Sequence, residues 1–138
     1  MIGNLTRTEF QRVFSALEAT DEAVFHLTGS RYHLTSDLND QSDWDFFTEK
    51  TPGTIQWLID LGFEFEGRSD HGYGDRQCWG VMKHSGANIH VQLILKSYLS
   101  DRIRINNALR GNLSFRAMPK KQRAEIWRNI ADGHMNII

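Results

Sequence analysis

Phe25-His26-Leu27-Thr28-Gly29-Ser30-Arg31 and, after a polar stretch, Ser42-Asp43-Trp44-Asp45-Phe46-Phe47 are the two segments that decide the fold. Ala23 to Leu27 is short and mostly apolar, and Thr28-Gly29-Ser30 ends it, which predicts a buried strand running into a tight turn. Trp44 to Thr48 reads as a second strand. Residues separated by one other on a strand point to the same face, so Asp43 and Asp45 converge while Trp44 and Phe46 turn toward a core. Two crowded carboxylates repel unless a cation lies between them. A hard divalent ion with oxygen ligands, Mg²⁺ or Mn²⁺, meets that demand. Glycine lets a backbone come close to a phosphate, and the Ser30 hydroxyl with neighbouring N–H groups can hold a triphosphate tail. A metal on the aspartates would bridge that tail.

Outward from these segments the chain alternates helix and strand signals. Phe10, Val13, Phe14 and Leu17 recur at helical spacing behind a Thr6…Glu9 capping-box pattern, predicting a helix over 8–19. Arg31 to Ser42 is polar and reads as a loop or a ragged helical turn. Thr51-Pro52 starts a helix that Gly62 ends. Phe63 to Glu66 alternates as a strand, and Gly67 to Asp75 has a mobile loop's composition. Gln77 to His84 and Asn88 to Leu95 form a hairpin around Ser85-Gly86-Ala87. Two helices follow, over 97–109 and 119–132. The expectation is an α+β fold, a mixed β-sheet flanked by helices, in one domain over 1–138.

A length of 138 residues with 40% hydrophobic and 24% charged residues is that of an ordinary globular domain. No apolar run reaches membrane-span length, and Met1 to Thr8 lacks the pattern of a signal peptide. One cysteine, Cys78, leaves no internal disulfide framework, so a cytoplasmic location and no membrane partner are expected. The net charge of −1 hides an asymmetry. Residues 1–96 carry 8 basic and 14 acidic side chains, a net −6; residues 97–138 carry 8 basic and 3 acidic, a net +5. The basic C-terminal helices are a solvated face or a flank for a phosphate-rich partner.

The quoted segments resemble the core motif of the DNA polymerase beta-like nucleotidyltransferases, in which a strand ends in Gly-Ser and an apolar-flanked aspartate pair follows roughly ten residues later. Arg31 after the Gly-Ser and Ser42 before the first aspartate match the small bacterial members. The resemblance covers Phe25 to Phe47, and the element order fits a minimal nucleotidyltransferase fold with two C-terminal helices. It implies that Gly29, Ser30, Arg31 and Ser42 contact the nucleotide and that Asp43 and Asp45 bind Mg²⁺ or Mn²⁺. It also implies transfer of an NMP from an NTP to a hydroxyl acceptor, whether RNA, protein or a small molecule.

The family's third carboxylate is missing from the run Ile89-His90-Val91-Gln92-Leu93-Ile94-Leu95. The expected position falls on Gln92, with His90 as the lesser choice, and Glu64 or Glu66 as acids that stand in for it. The chain is therefore either an active enzyme in which Asp43, Asp45 and Gln92 form the catalytic set, or a weakened relative that binds a nucleotide, nucleic acid or protein without turnover. The six histidines lack zinc-site spacing. His71 to Arg76 is a surface loop or a substrate gate through Arg76, and Cys78 reads as inert.

Overall fold

Ile89–Ile94 has all six residues buried, and this strand is the middle of the sheet. The computed structural model of the chain describes residues 2–67 and 75–136, with side chains from Thr8 onward. In chain order the elements are α1 (Ile2–Ala19), β1 (His26–Thr28), α2 (Gly29–His33), β2 (Trp44–Glu49), α3 (Pro52–Leu61), β3 (Glu64–Gly67), β4 (Cys78–His84), β5 (Ile89–Ile94), α4 (Leu99–Arg110), α5 (Leu113–Ala117) and α6 (Lys120–Ala131). The sheet runs β1-β2-β5-β4-β3. Only the β2–β5 pair is parallel, so the sheet is mixed, as the α+β reading expects.

Side-chain alternation on β5 divides the molecule. Ile89, Val91 and Leu93 join Val13 and Leu17 of α1, Phe46 of β2 and Leu58 of α3 in the main core. Their partners in alternation, His90, Gln92 and Ile94, belong to the other face. There Ile94 packs with Phe47, Cys78, Tyr98, Leu99 and Ile103, so α4 covers the far end of that face. A third cluster of Ile105, Leu109, Phe115 and Ile130 ties α4, α5 and α6 together. His90 and Gln92 therefore lie between sheet and helices without an apolar partner set of their own.

Local signals account for most boundaries. Thr51 caps α3, its hydroxyl accepting from the Thr54 N–H at 3.1 Å, and Pro52 opens the helix. Gly62 closes it at φ 111°, a conformation suited to glycine. Three expectations need correction. α1 begins at Ile2, so Thr6 lies inside the helix rather than at its cap. Gly29-Ser30 does not form a free turn but opens the short helix α2. The C-terminal part has three helices instead of two, because Asn112 accepts from the Phe115 N–H at 2.9 Å and so starts α5, whose Phe115 is buried. The expected loop over 67–75 lies mostly outside the described residues.

Arg102 on α4 is the largest fully buried side chain, and its partners hold helix to sheet. It donates to Asp75 Oδ2 at 2.8 Å and to Gln92 Oε1 at 2.6 Å, and its guanidinium lies 5.0 Å from the Trp127 ring centre. Arg102→Met leaves the buried Asp75 carboxylate without its cation. The expected loss is about 3–5 kcal/mol of unfolding free energy. Urea denaturation measures it, and Asp75→Asn combined with Arg102→Met should recover part of the loss, because it removes the buried charge while Oδ1 still accepts from the Gln77 and Cys78 N–H groups. Equal stability of Arg102→Met and wild type would show that the ion pair does not hold α4 to the sheet.

Candidate metal and nucleotide site

The sheet register builds the site. Thr28 pairs with Asp45, and Asp45 pairs with His90 across the parallel β2–β5 ladder. Asp43 sits one residue before β2 and points to the same place. His90 Nδ1 lies 2.8 Å from Asp43 Oδ2 and 3.6 Å from Asp45 Oδ1. His90 Nε2 lies 3.1 Å from Glu66 Oε2, which reaches in from β3. One donor atom each from Asp43, Asp45 and His90 falls within 4.8 Å of the others, a grouping able to hold a metal ion.

Electrostatics follow from this crowding. Burial alone would lower the His90 pKa, but the Asp43 hydrogen bond and the charges of Asp45, Asp43 and Glu66 raise it above its ordinary value. Burial would likewise raise the Asp43 carboxyl, yet the hydrogen bond and charge of His90, with Lys120, hold it below the usual range. The imidazole is thus held toward its charged form by the carboxylates around it.

Gly29 closes against the pair. Its φ is +70°, and a Cβ there would stand 2.3 Å from Asp45 Oδ2. The backbone of the Gly-Ser segment can approach the carboxylates only because this residue has no side chain. Gly29, Ser30, Asp43 and Asp45 line one cavity of about 100 Å³. Its wall from α6 carries Lys120 and Arg123, and its inner end is lined by His33, Phe115 and Trp127. Arg123 donates to Ser30 Oγ at 3.4 Å and to Asp37 Oδ2 at 3.1 Å.

Several expected site residues stand elsewhere. Gln92 is opposite Phe47 in the register, not opposite Asp45, so the third position next to the aspartates belongs to His90. Gln92 borders the cavity, but its amide oxygen accepts from Arg102, and an acid at this position would pair with that guanidinium. Arg31 donates twice to the Ser42 carbonyl, at 2.8 and 3.2 Å, and stacks 4.6 Å from the Trp44 ring centre. Ser42 Oγ accepts from the Asn39 N–H at 3.0 Å. Neither residue lines the cavity; together they fold the loop that delivers Asp43. Glu64 pairs with Lys83 across β3–β4 and is not among the side chains grouped at the cluster. Arg76 donates to the Ala131 carbonyl at 2.9 Å, tying it to the end of α6. Cys78 is buried, and burial pushes its thiol up to about 11, as an inert cysteine requires.

Sequence reading missed the residues that α6 contributes. The signal was present as Lys120 and Arg123, three apart and so on one helix face within the basic C-terminal part, but only the fold directs that face at Ser30. Comparison with family models, with curated proteins and with solved structures returns no match.

Gly29→Ala should force Asp45 aside and place a β-carbon residue at positive φ. Destabilisation of roughly 1–2 kcal/mol is expected from the backbone alone, with more from the contact. Chemical denaturation checks this, and wild-type stability in the variant would contradict the close approach.

His33 gives a pH dependence. The Asn106 amide donates to the Leu27 carbonyl at 3.0 Å, so its oxygen accepts from Thr28 Oγ1 at 2.7 Å and from His33 Nε2 at 3.1 Å. His33 is therefore neutral with its proton on Nε2. Burial brings its pKa from 6.5 to about 4. The unfolded chain takes up a proton below 6.5 and the folded chain does not. Stability is thus fully present above 6.5 and falls as pH drops toward 4, by about 3 kcal/mol at most. His33→Gln keeps a donor toward Asn106 and removes the titration. The wild-type-minus-variant stability should fall across this window; a constant difference would show that His33 accepts a proton in the folded state.

Proposed function

We propose that this chain is a divalent-metal-dependent nucleotidyltransferase that moves an NMP from an NTP to a hydroxyl acceptor and releases pyrophosphate. The observation that carries the reading is the convergence of Asp43, Asp45 and His90, with both aspartates lining one cavity together with Gly29, Ser30, Lys120 and Arg123. An isolated Asp-x-Asp or Gly-Ser has many structural uses. Their meeting in a basic cavity has the chemistry that a nucleoside triphosphate needs.

The chain's own groups divide the work. The bare backbone at Gly29 admits a phosphate, and the Ser30 hydroxyl binds one of its oxygens. Lys120 and Arg123 neutralise the phosphate tail and the charge that builds on the leaving pyrophosphate. Arg123 keeps a second partner in Asp37, which orients its guanidinium. Asp43 and Asp45, with His90 beside them, would hold the cation, since one donor atom of each lies within 4.8 Å of the others. When bound, the cation supplies charge for polarising the α-phosphorus and lowering the pKa of the acceptor hydroxyl. The acceptor is RNA, a protein side chain or a small molecule.

One observation favours a second reading, in which the chain binds a nucleotide or partner without turnover. The third position holds an imidazole instead of a carboxylate, which leaves one fewer anion to activate the nucleophile. Incubation with labelled NTPs, Mg²⁺ or Mn²⁺, and cellular RNA and protein separates the two, since only the enzyme incorporates label.

Asp43→Asn with Asp45→Asn tests the metal-nucleotide assignment. The double variant should fold, and its metal-dependent NTP affinity should fall by roughly two orders of magnitude or more, the scale of losing the charged ligands of a metal site. Calorimetry with a non-hydrolysable NTP reads the affinity. Unchanged affinity would remove the aspartates from the site and the proposed reaction with them.

A further inference from the structure

The proposed function leaves open which ion the centre takes and why a histidine stands among its carboxylates. Resting on that reading of the site, we infer that His90 is the third metal ligand through Nδ1, that Glu66 is its positioning residue, and that the centre selects a first-row transition dication over Mg²⁺.

The argument begins with proton placement on the ring. A neutral imidazole has one N–H and one lone pair. Glu66 lies 3.1 Å from Nε2, so a carboxylate acceptor faces that nitrogen and holds the proton there. Nδ1 lies 2.8 Å from Asp43 and 3.6 Å from Asp45, and without a metal its proton is donated to Asp43; an ion between the aspartates would displace that proton and take the Nδ1 lone pair, while Glu66 keeps the proton on Nε2. This is the carboxylate–imidazole–metal arrangement, in which the outer carboxylate fixes the tautomer and makes the ring a stronger ligand.

Spacing agrees. Two ligands at right angles, each about 2.1 Å from an octahedral ion, stand about 3.0 Å apart. The two His90-to-aspartate separations bracket that figure. The side chains are also held: those of Asp45 and His90 are 6% and 10% exposed. Gly29 leaves Asp45 a berth that any Cβ would fill.

Glu66 reaches the ring because of an irregularity in the sheet. The β3–β4 register shifts between Phe65 and Gly67, and Glu66 is the residue in that bulge. Bulges commonly re-aim one side chain beside a functional site. Glu64, two residues earlier, keeps regular pairing opposite Lys83 and has no part in the cluster. The ion class follows from ligand chemistry. Mg²⁺ takes oxygen ligands and binds imidazole poorly, whereas later first-row dications accept nitrogen and oxygen together.

Mn²⁺ and Mg²⁺ alone serve as the test ions, with calorimetry, thermal melting and pulsed electron paramagnetic resonance of bound Mn²⁺. Wild type should bind Mn²⁺ at least tenfold more tightly than Mg²⁺, and the Mn²⁺ signal should show coupling to one imidazole nitrogen. That coupling is read on the wild-type chain, so it does not depend on a variant folding. His90→Asp should abolish the coupling and reverse or level the preference. Glu66→Ala should weaken Mn²⁺ binding roughly 10- to 100-fold. Glu66→Gln, whose amide oxygen still accepts from Nε2, should recover part of it, and Glu64→Gln should change nothing. If neither ion binds wild type, the metal reading of the site fails altogether. If both ions bind but equally well, or without nitrogen coupling, the site stands and the assignment of His90 and Glu66 is overturned.

Discussion

Carboxylates buried side by side have no stable arrangement without positive charge between them, and this chain places three of them, Asp43, Asp45 and Glu66, around one imidazole. Much of the architecture serves that constraint. The parallel β2–β5 pairing sets Asp45 next to His90, and the antiparallel β1–β2 pairing brings Gly29 against Asp45. Around the same point the main core is confined to the opposite face of β5, where Ile89, Val91 and Leu93 meet α1 and α3. His90 and Gln92, the polar residues of the central strand, lie on the other face.

A second buried charge system lies beside the first and is kept apart from it. Arg102 engages Asp75 and Gln92 and stacks on Trp127, and these contacts fix α4 to the sheet. Gln92 is the junction. It lines the cavity, and its amide oxygen accepts from Arg102. A neutral amide suits this place, since it accepts from a guanidinium without adding another anion near Asp45.

Much of the fold was legible in the sequence because it rests on local chemistry. Thr51-Pro52 and Gly62 bound α3 through a cap, a fixed φ and a left-handed terminus. Alternation and turn residues bound the β4–β5 hairpin. The Asp43–Asp45 convergence followed from strand periodicity alone. What was not legible depends on pairing between distant segments. A two-residue difference in register, which keeps the same face, decides whether His90 or Gln92 lies beside Asp45, and both fit the apolar run equally well in sequence. Arg31 and Ser42 match a motif, yet their hydrogen bonds run to each other and to Asn39. The contribution of Lys120 and Arg123 needed the packing of α6, which no local pattern encodes.

The two aspartates are not equivalent in how the backbone holds them. Asp45 lies within the ladder, paired on both sides by Thr28 and His90, and its side chain is 6% exposed. Asp43 lies just outside β2, at the end of the loop clasped by Arg31, and its side chain is 26% exposed. One carboxylate is thus an anchored jaw and the other an adjustable one. At the metal centre proposed above, a caliper of this kind would change its opening as an ion of different radius, or one with a different number of waters, entered and left. The sheet itself need not deform, because the compliance resides in a single residue at its margin.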